Sequence, residues 1–470
     1  MKQPNFLVIL IDDLRHDELG VGGHPYMKTP HADRIAHEGA LFERAFHTTP
    51  ICSPNRASVM TGQYASRHGI IDNVARDAAS HRLPNYHLAL QELGYETAHV
   101  GKWHMGNDGR PRPGYHHWVS FDGHGRLNDP TLNVNGTYEK HQGYMTDLLN
   151  QFAVDFVSRK HERPWSLFFA HKAVHPDAFQ HPDGTLDLAQ HGGYRVAERH
   201  EGLYQGCVFP KKPNMLSPAE VVKSKPAWAE AMALKQSAAA KAVLEAIQPG
   251  SQEEIRLRAC MMAAVDEGVG ALFEALERSG ALDDTVIIFF GDNGYFFGEH
   301  GLGPERRFAY EEGIRSPFLV RYPRRIKAGS FARDGHLPGH RAHPDRAGAR
   351  PAGAADPGPL AVAALFRAED RMAEVVPHRV LGRERHALAR GYDLQGRADR
   401  PSQVHSLGQQ EPRPRAGRAL RSRHRSVRAS QFDPEPIARR GSREAAQGSR
   451  AARGGGSGHL VSPSANSYWR

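Results

Sequence analysis

The sequence predicts an α/β fold in which a large, mostly parallel central sheet is flanked by helices. Continuous apolar runs of strand length occur as FLVILI (6–11), TAHVG (97–101), SLFFA (166–170) and TVIIFF (285–290). Such runs are typical of parallel strands that are buried on both faces. Segments with helical periodicity lie between the runs, and this alternation is the pattern of an α/β protein.

Two of the intervening segments carry clear helix ends. In TPHADRIAHEGA, Thr29 is a predicted N-cap, Pro30 the first helical residue and Gly39 a left-handed terminator. The segment LPNYHLALQELGY is predicted to end in the same way, at Gly94. These signals place two helices between the first and second apolar runs of the chain.

The chain has three cysteines, Cys52, Cys207 and Cys260, which are too few and too scattered for a disulfide framework or a zinc site. Cys260 lies in the helical segment 253–280, which ends on a glycine, and we predict that it belongs to the core.

The apolar run near the N-terminus is too short for a signal peptide or a membrane span. We therefore expect a cytoplasmic protein without a membrane partner, or a periplasmic or secreted one if the N-terminus is truncated.

The formal charge of +9 is distributed unevenly along the chain. Residues 1–331 carry a net charge of −3, whereas residues 332–470, with 25 basic and 13 acidic groups, carry +12. The second part is rich in Ala, Arg, Gly and Pro and poor in core-forming residues, so we predict that it is largely disordered. It is either a basic arm that binds nucleic acid or a GC-rich gene read in a shifted frame. We favour the frameshift because the change is abrupt.

A polar cluster follows each of the four predicted strands. Asp12 and Asp13 follow the first strand, GKWH the second, HKAVH the third, and Asp292 with Asn293 the fourth. In open α/β sheets the ligand site lies beyond the carboxyl ends of the strands, so we expect all four clusters at one edge. The carboxylates and the amide form an oxygen-rich set suited to Ca²⁺ or Mg²⁺.

The stretch that begins at Cys52, CSPNRASVMTG, resembles the signature of the type I sulfatases, a Cys-x-Pro-x-Arg core followed by Thr-Gly. Further blocks are similar to that family in content and order: NFLVILIDDLR, TPHADRIAHEGALFERAF, LGYETAHVGKWHMG, FFAHKAVHP, VIIFFGDNGYFFGEHG and AYEEGIRSPFLVRYP. The resemblance spans residues 5 to about 325. It implies an alkaline-phosphatase-like sandwich, with a sulfatase catalytic domain in 1–331 and a substrate-cleft insertion in 180–249.

The resemblance also implies the chemistry of a sulfuric ester hydrolase. In this family the signature cysteine, here Cys52, is oxidised to formylglycine by a formylglycine-generating enzyme, which is therefore an expected partner. One hydroxyl of the hydrated aldehyde, held on a divalent cation, attacks the sulfur and forms a covalent sulfo-enzyme. Deprotonation of the second hydroxyl then releases sulfate. We expect Ca²⁺ in preference to Mg²⁺, and a small-molecule or carbohydrate sulfate ester as substrate.

The family's roles carry over residue by residue. The positions that match its cation ligands are Asp12, Asp13, Cys52, Asp292 and Asn293. Arg56 lies one helical turn beyond the cysteine and matches the residue that orients the gem-diol. Lys102 matches the lysine that binds sulfate. His104, on the same side of an extended segment, matches the base that deprotonates the second hydroxyl.

The remaining matches concern the leaving group and the sulfate. His175 matches the histidine that holds and protonates the leaving group. Arg306 stands where the family usually has a lysine, and an arginine keeps the charge but offers a planar fork instead of a point donor. The neighbouring Arg307 has a less defined role. His171 and Lys172 are interpreted as supporting polar residues.

Three alternatives stay open on the sequence alone. The chain could hydrolyse phosphonate or phosphate esters, as some members of the same superfamily do with formylglycine. It could be inactive, because the text after residue 331 lacks the family's continuation, a short strand leading to an Asp-x-x-Pro-Thr helix. It could bind nucleic acid through the basic tail. Aryl, carbohydrate and choline-type sulfates are all compatible with the sequence.

Overall fold

The structure is a computed structural model, of which we describe residues 3–187, 193–225, 250–303 and 306–332. The predicted tail, 332–470, lies outside these residues except for Ala332. Parts of the predicted insertion, 188–192 and 226–249, also lie outside them. The domain boundary at residue 331 and the disorder of the tail therefore stay predictions.

The described residues form a ten-stranded sheet and a separate two-stranded hairpin. In chain order, β1 to β12 are Asn5–Ile11, Ala40–Phe46, Glu96–Gly101, His117–Ser120, Thr131–Val134, Thr137–Lys140, Trp165–Ala170, Phe179–Gln180, Leu186–Asp187, Thr285–Gly291, Arg315–Arg321 and Ser330–Ala332. The large sheet has the order β12-β2-β11-β10-β1-β7-β3-β4-β5-β6, and β8 pairs with β9.

The centre of the large sheet is parallel. Strands β10, β1, β7, β3 and β4 run side by side in the same direction, with Ile9 of β1 in register with Phe289 of β10 and Phe169 of β7. Strands β7 and β10 are buried along their whole length, and β1 and β3 are exposed in part only at their first residue. The four apolar runs are thus confirmed as central strands.

The outer strands make the sheet mixed. On one side β11 runs antiparallel to β10 and to β2, and β12 then lies parallel to β2. On the other side β5 and β6 form antiparallel pairs beyond β4. The predicted parallel order therefore holds at the centre, where the carboxyl ends of the strands carry the polar clusters.

Helices cover both faces of the sheet. In chain order, α1 to α9 are Pro30–His37, Cys52–Thr61, Ala65–His68, Asp77–Ser80, Tyr86–Glu92, Met145–Ser158, Pro218–Ser224, Gln252–Arg278 and Glu311–Ile314. Two 3₁₀ turns, Glu198–His200 and Leu282–Asp284, complete the helical elements of the described residues. No helix in this part of the chain has the length and apolar content needed to span a membrane.

The side chains of β1 divide between two hydrophobic cores, as successive residues of a strand point to opposite faces. Leu7, Ile9 and Ile11 pack in one core with apolar residues of α1, α6 and α8. The alternate side chains, with Val8 at their centre, pack in the other core with residues of α2 and α5. Cys260 on α8 is fully buried, as predicted.

The predicted helix ends are confirmed at two glycines and wrong at a third. Gly94 and Gly280 adopt left-handed backbone conformations, with φ of 86° and 65°, just after α5 and α8. Gly39 does not, because α1 ends at His37 and its C-cap, Glu38, keeps a right-handed conformation. Position 39 instead lies against the backbone of β11, where a side chain has no room.

Gly39→Ala is therefore expected to destabilise the fold by about 1–3 kcal/mol. A Cβ atom at this position would lie 2.1 Å from the carbonyl oxygen of Val320 and 2.8 Å from the Cα of Arg321, so backbone has to move. Denaturant unfolding of the two proteins measures the difference. Gly202→Ala, where a Cβ would meet nothing within 4 Å, is the control and should unfold like the wild type. Equal losses in both variants would contradict the explanation.

Candidate active site

The polar clusters that follow the central strands meet at one edge of the sheet. Asp12 follows β1, Asp292 is the first residue after β10, Lys102 the first after β3 and His171 the first after β7. All four side chains are fully buried. The strand order β10-β1-β7-β3 places these residues on neighbouring strands, as the rule for open α/β sheets predicts.

Cys52 faces this edge from the first turn of α2. Its Sγ atom lies 3.4 Å from Oδ1 of Asp12, to which the thiol donates a hydrogen bond. Burial and the charge of Asp12 raise the pKa of Cys52 well above its usual value. The thiol is therefore protonated at neutral pH. Because the thiolate is the reactive form, unmodified Cys52 is a poor nucleophile.

Three of the four predicted oxygen donors, Asp13, Asp292 and Asn293, are linked to one another by hydrogen bonds. The backbone N–H of Asp13, a residue in the left-handed conformation with φ of 60°, donates to Oδ1 of Asp292 at 2.9 Å. The amide nitrogen of Asn293 donates to Oδ1 of Asp13 at 2.7 Å. This orients Oδ1 of Asn293 away from that bond, and the atom is buried without a hydrogen-bond partner among the described residues. It is thus available to a ligand.

The cluster is rich in negative charge. Burial, together with the neighbouring charge of Asp12, raises the pKa of Asp292 to about 7. Ligand atoms of Asp12, Cys52 and Asp292 lie within 4.8 Å of one another, close enough to share one ion. A divalent cation would neutralise these buried carboxylates and satisfy the free oxygen of Asn293. The donor set therefore fits a hard cation.

Two cationic side chains also contact the carboxylates. The Nε atom of Arg56 donates to Oδ2 of Asp292 at 2.8 Å, and its Nη1 atom donates to the carbonyl oxygen of Lys102 at 2.5 Å. The ammonium of Lys102 donates to Oδ2 of Asp12. Burial alone would raise the pKa of Asp12, but the charges of Lys102 and Arg56 hold it well below its usual value.

Three buried histidine rings pack together beside Lys102, with His124 stacked on His175 and tilted by 50° against His104. The ring of His124 lies 4.2 Å from that of His104 and 4.3 Å from that of His175, measured between centroids. Nδ1 of His124 is 3.1 Å from Nζ of Lys102. Burial, reinforced by the charge of Lys102, lowers the pKa of all three histidines well below the usual value. They are neutral at pH 7.

Arg306 contacts both the carboxylates and the histidines of the site. Its Nη1 atom lies 3.2 Å from Oδ2 of Asp13, and its Nη2 atom is 3.3 Å from Nε2 of His175. Nδ1 of His175 is 2.8 Å from the carbonyl oxygen of Pro176 and so carries the proton, which leaves Nε2 to accept from the guanidinium. The Arg306 guanidinium thus joins the carboxylate cluster to the three histidine rings. The neighbouring Arg307 is exposed.

The two residues interpreted as supporting ones lie next to the site. Nζ of Lys172 donates to the carbonyl oxygen of Pro176 at 2.9 Å, and burial lowers its pKa to about 8. The ring of His171 packs 4.2 Å from that of Phe169. Lys172 therefore fixes the loop that carries His175.

Four residues of this region were missed by the sequence analysis, namely Asn55, His124, Gln180 and Arg258. Asn55 donates to the carbonyl oxygen of Asp292 at 2.7 Å. The glycines on either side of His124, with φ of 51° and 64°, are the only signal that could have marked it, because they form a tight turn. Gln180, at the start of the predicted insertion, contacts His104. No local pattern distinguishes Gln180 or Arg258.

Arg258 on α8 supports the loop after β1. Its Nη2 atom donates to the carbonyl oxygen of Asp13 at 2.6 Å, and its Nε atom donates to Oε1 of Glu18 at 2.8 Å. Both charged side chains are fully buried. The Arg258–Glu18 ion pair therefore fixes the backbone at Asp13, a predicted cation ligand.

Arg258→Leu is expected to destabilise the protein by about 3–5 kcal/mol, because it leaves the Glu18 carboxylate buried without its partner. Urea unfolding monitored by circular dichroism measures the change. The control is Arg278→Leu on the same helix, whose ion pair with Glu274 has side chains 65% and 69% exposed. This control should leave the stability unchanged, since exposed ion pairs contribute little. A loss of similar size in both variants would refute the structural role of Arg258.

The mixed sheet with helices on both faces defines the alkaline-phosphatase-like class of α/β proteins. Residues 4–345 match the family model of the sulfatases, so the chain belongs to the sulfatase family. The resemblance carried by the signature and the other blocks is thereby confirmed. The match ends 14 residues beyond the domain boundary predicted at residue 331.

Two sulfatases and one solved structure are similar to this chain. The chain is 28% identical over 382 residues to an N-acetylglucosamine-6-O-sulfatase of Bacteroides thetaiotaomicron, covering 70% of this chain and 64% of the relative. It is 26% identical to the human N-acetylglucosamine-6-sulfatase, covering 68% and 57%. A protein solved in complex with its substrate D-glucosamine-2-N,6-O-disulfate has a TM-score of 0.56 and 26% identity, covering 71% of this chain and 74% of the other. The chain thus spans less than two thirds of the length of these two sulfatases.

Proposed function

We propose that the chain hydrolyses sulfate esters of carbohydrates, using formylglycine made from Cys52 and one bound Ca²⁺ ion. The position of Cys52 carries this proposal. The residue starts a helix with its Sγ atom 3.4 Å from Oδ1 of Asp12, and Arg56, one turn later, donates to Asp292. The carbohydrate part rests on the relatives, which are named for N-acetylglucosamine 6-sulfate, and on the disulfated glucosamine in the neighbouring structure.

The number of oxygen donors favours Ca²⁺ over Mg²⁺. The proposed ligands are Asp12, Asp13, Asp292, Asn293 and the modified side chain at position 52. Mg²⁺ usually keeps several waters and takes one or two carboxylates, whereas Ca²⁺ accepts six to eight oxygens in flexible geometry. A site that offers donors from five side chains, three of them carboxylates, therefore suits Ca²⁺.

When both groups are present, the hydrated aldehyde supplies the nucleophile and the cation neutralises charge on the sulfuryl group. The chain's own residues supply the remaining functions. Lys102 and Arg306 present positive charge toward a bound sulfate, Arg56 orients the group at position 52, and His104, neutral at pH 7, accepts a proton from it. The role of His175 at the leaving oxygen requires a proton on Nε2, because the Nδ1 proton is fixed on the carbonyl oxygen of Pro176.

A comparison of kcat/KM between substrates tests this function against the phosphonate alternative. We expect kcat/KM for N-acetylglucosamine 6-sulfate and for an aryl sulfate to exceed that for an aryl phosphonate, in the presence of Ca²⁺ and with Cys52 modified. A sulfate ester and a phosphonate monoester are both monoanions, so the charges of Lys102, Arg306 and one divalent cation suit either, and the expectation rests on the relatives named as sulfatases. A preference for the phosphonate would assign the chain to phosphonate ester hydrolysis instead. No turnover of any of the three by the modified, Ca²⁺-loaded protein would support an inactive chain.

We also propose that residues 332–470 arise from a shifted reading frame. The support is the abrupt change to an Arg-rich, Lys-free composition after Phe331. Translating the nucleotide sequence around this codon in the other frames tests the proposal. An Asp-x-x-Pro-Thr block in another frame is the expected result. If both other frames give only unrelated text, the frameshift is refuted and the tail is interpreted as a basic arm. The binding of this arm to RNA should then weaken with added salt and be lost when residues 332–470 are deleted.

A further inference from the structure

Gln180 connects the predicted general base to the segment that follows the signature helix. It is the second residue of β8, and its side chain is buried, with a residue exposure of 5%. Its two amide atoms make different contacts. Oε1 is hydrogen-bonded to Nε2 of His104, and Nε2 donates to the carbonyl oxygen of Asn73 at 2.6 Å.

The contact with Asn73 fixes the orientation of the amide. A backbone carbonyl oxygen can only accept a hydrogen bond, so the NH₂ group of Gln180 has to face Asn73. The carbonyl oxygen of Gln180 then has to face His104. Since this oxygen also can only accept, Nε2 of His104 has to carry a proton. A neutral histidine has one ring proton, which leaves a lone pair on Nδ1.

Nδ1 of His104 is the atom left for chemistry. It is buried and has no hydrogen-bond partner among the described residues. Burial lowers the pKa of His104 well below its usual value, so the ring is neutral at pH 7 and its tautomer decides which atom accepts a proton. We propose that Gln180 is a positioning residue that holds His104 as the Nε2–H tautomer and makes Nδ1 the proton acceptor of the site. The catalytic part of this proposal rests on the proposed sulfatase function.

The surrounding contacts keep this arrangement rigid. The side-chain oxygen of Asn73 accepts from the backbone N–H of Ser53 at 3.1 Å, in the first turn of α2. The hydroxyl of Ser53 donates to the carbonyl oxygen of His104. The residue next to Cys52 is therefore bonded both to the backbone of the base and to the residue that orients Gln180. A change at Gln180 should act on the base without touching a cation ligand.

The tautomer can be measured without turnover. We suggest ¹⁵N-histidine labelling of the full chain with Cys52 unmodified, and long-range ¹⁵N–¹H correlation spectra at pH 7.5. The signals of His104 are identified by their loss in His104→Asn. The proposal predicts a protonated nitrogen at Nε2 and an unprotonated one at Nδ1. The reverse pattern in the wild type would overturn it, whether or not the chain is a sulfatase.

Two substitutions separate the role of the amide from mere packing. Gln180→Glu loses the donor toward Asn73 but keeps an acceptor toward Nε2 and should retain the tautomer. Gln180→Leu keeps the bulk, removes the acceptor and should shift the population toward Nδ1–H. In the modified, Ca²⁺-loaded enzyme, Gln180→Leu should lower kcat about 10- to 100-fold with KM changed less than about threefold. The control is Gln151→Leu on the exposed side of α6, which should change neither.

The two measurements distinguish failure of this proposal from failure of the function. A wild-type tautomer and an unchanged kcat in Gln180→Leu, in an enzyme that hydrolyses sulfate esters, would overturn the role of Gln180 and leave the sulfatase function intact. A chain that hydrolyses no sulfate ester but shows the predicted tautomer, lost in Gln180→Leu and kept in Gln180→Glu, would support the positioning role and refute the function.

Discussion

Replacing Cys52 by alanine is expected to lower kcat for a sulfate ester by about 10⁴-fold or more. Alanine cannot be oxidised to an aldehyde, so the variant lacks the group that attacks sulfur. The fold should survive, because α2 begins in the same place and the change removes one buried atom. Steady-state kinetics with an aryl sulfate, on protein loaded with Ca²⁺, measures the loss.

The control for this variant is Cys207→Ala. Cys207 is partly exposed and lies outside the site, so its removal should leave kcat unchanged. Unmodified Cys52 protein is a second comparison. Since burial and Asp12 keep its thiol protonated, it should be nearly as inactive as the alanine variant. Retained turnover in Cys52→Ala would mean that another residue supplies the nucleophile.

Asp12→Asn is expected to lower kcat about 10³-fold and to abolish the response of the protein to Ca²⁺. Asp12 contacts the thiol of Cys52, the ammonium of Lys102 and, at 3.8 Å, the guanidinium of Arg56. The amide keeps the shape but removes the charge that balances the two cations and binds the ion. An ion that binds only the folded state raises its stability, so added Ca²⁺ should raise the Tm of the wild type and not that of the variant.

The comparison for Asp12→Asn is the same change at Asp72, a carboxylate whose side chain is 45% exposed and paired with Arg76. This variant should keep both the kcat and the Ca²⁺-dependent rise in Tm. An Asp12→Asn protein that still gains stability from Ca²⁺ as the wild type does would place the ion elsewhere in the molecule.

Four of the five central parallel strands, β1, β3, β7 and β10, could be predicted because they are buried on both faces and largely apolar. The outer strands could not. Strand β2, with the sequence ALFERAF, has only its first residue fully buried, and β6 is exposed at every position. In β2 the apolar residues are interrupted by Glu43 and Arg44, and β6 has one aromatic residue among polar ones. Their place depends on pairing with β11 and β5, which lie far from β2 and close to β6 in the chain.

The error at Gly39 has a related cause. A glycine after a helix usually marks a left-handed end, and this held for Gly94 and Gly280. At Gly39 the glycine is required by a neighbouring strand 281 residues later, whose carbonyl oxygen at Val320 occupies the space of a side chain. Local sequence rules contain no information about such a contact.

The candidate site was accessible to sequence reasoning because its residues follow strands that the apolar runs mark. Asp12, Lys102 and Asp292 were expected at one edge, and the structure brings them together there. His124 and Gln180 follow no such strand. His124 reaches the site through a glycine turn, and Gln180 contacts a histidine 76 residues away. Their positions depend on loop packing, which the periodicity of a sequence does not record.

A crystal structure of the active protein with Ca²⁺ would test the central claim most directly. The account predicts one ion at about 2.3–2.6 Å from oxygens of Asp12, Asp13, Asp292 and Asn293, together with an oxygen of an oxidised side chain at position 52. A fully active protein with an unmodified thiol at this position, or with its ion bound away from these four residues, would contradict it.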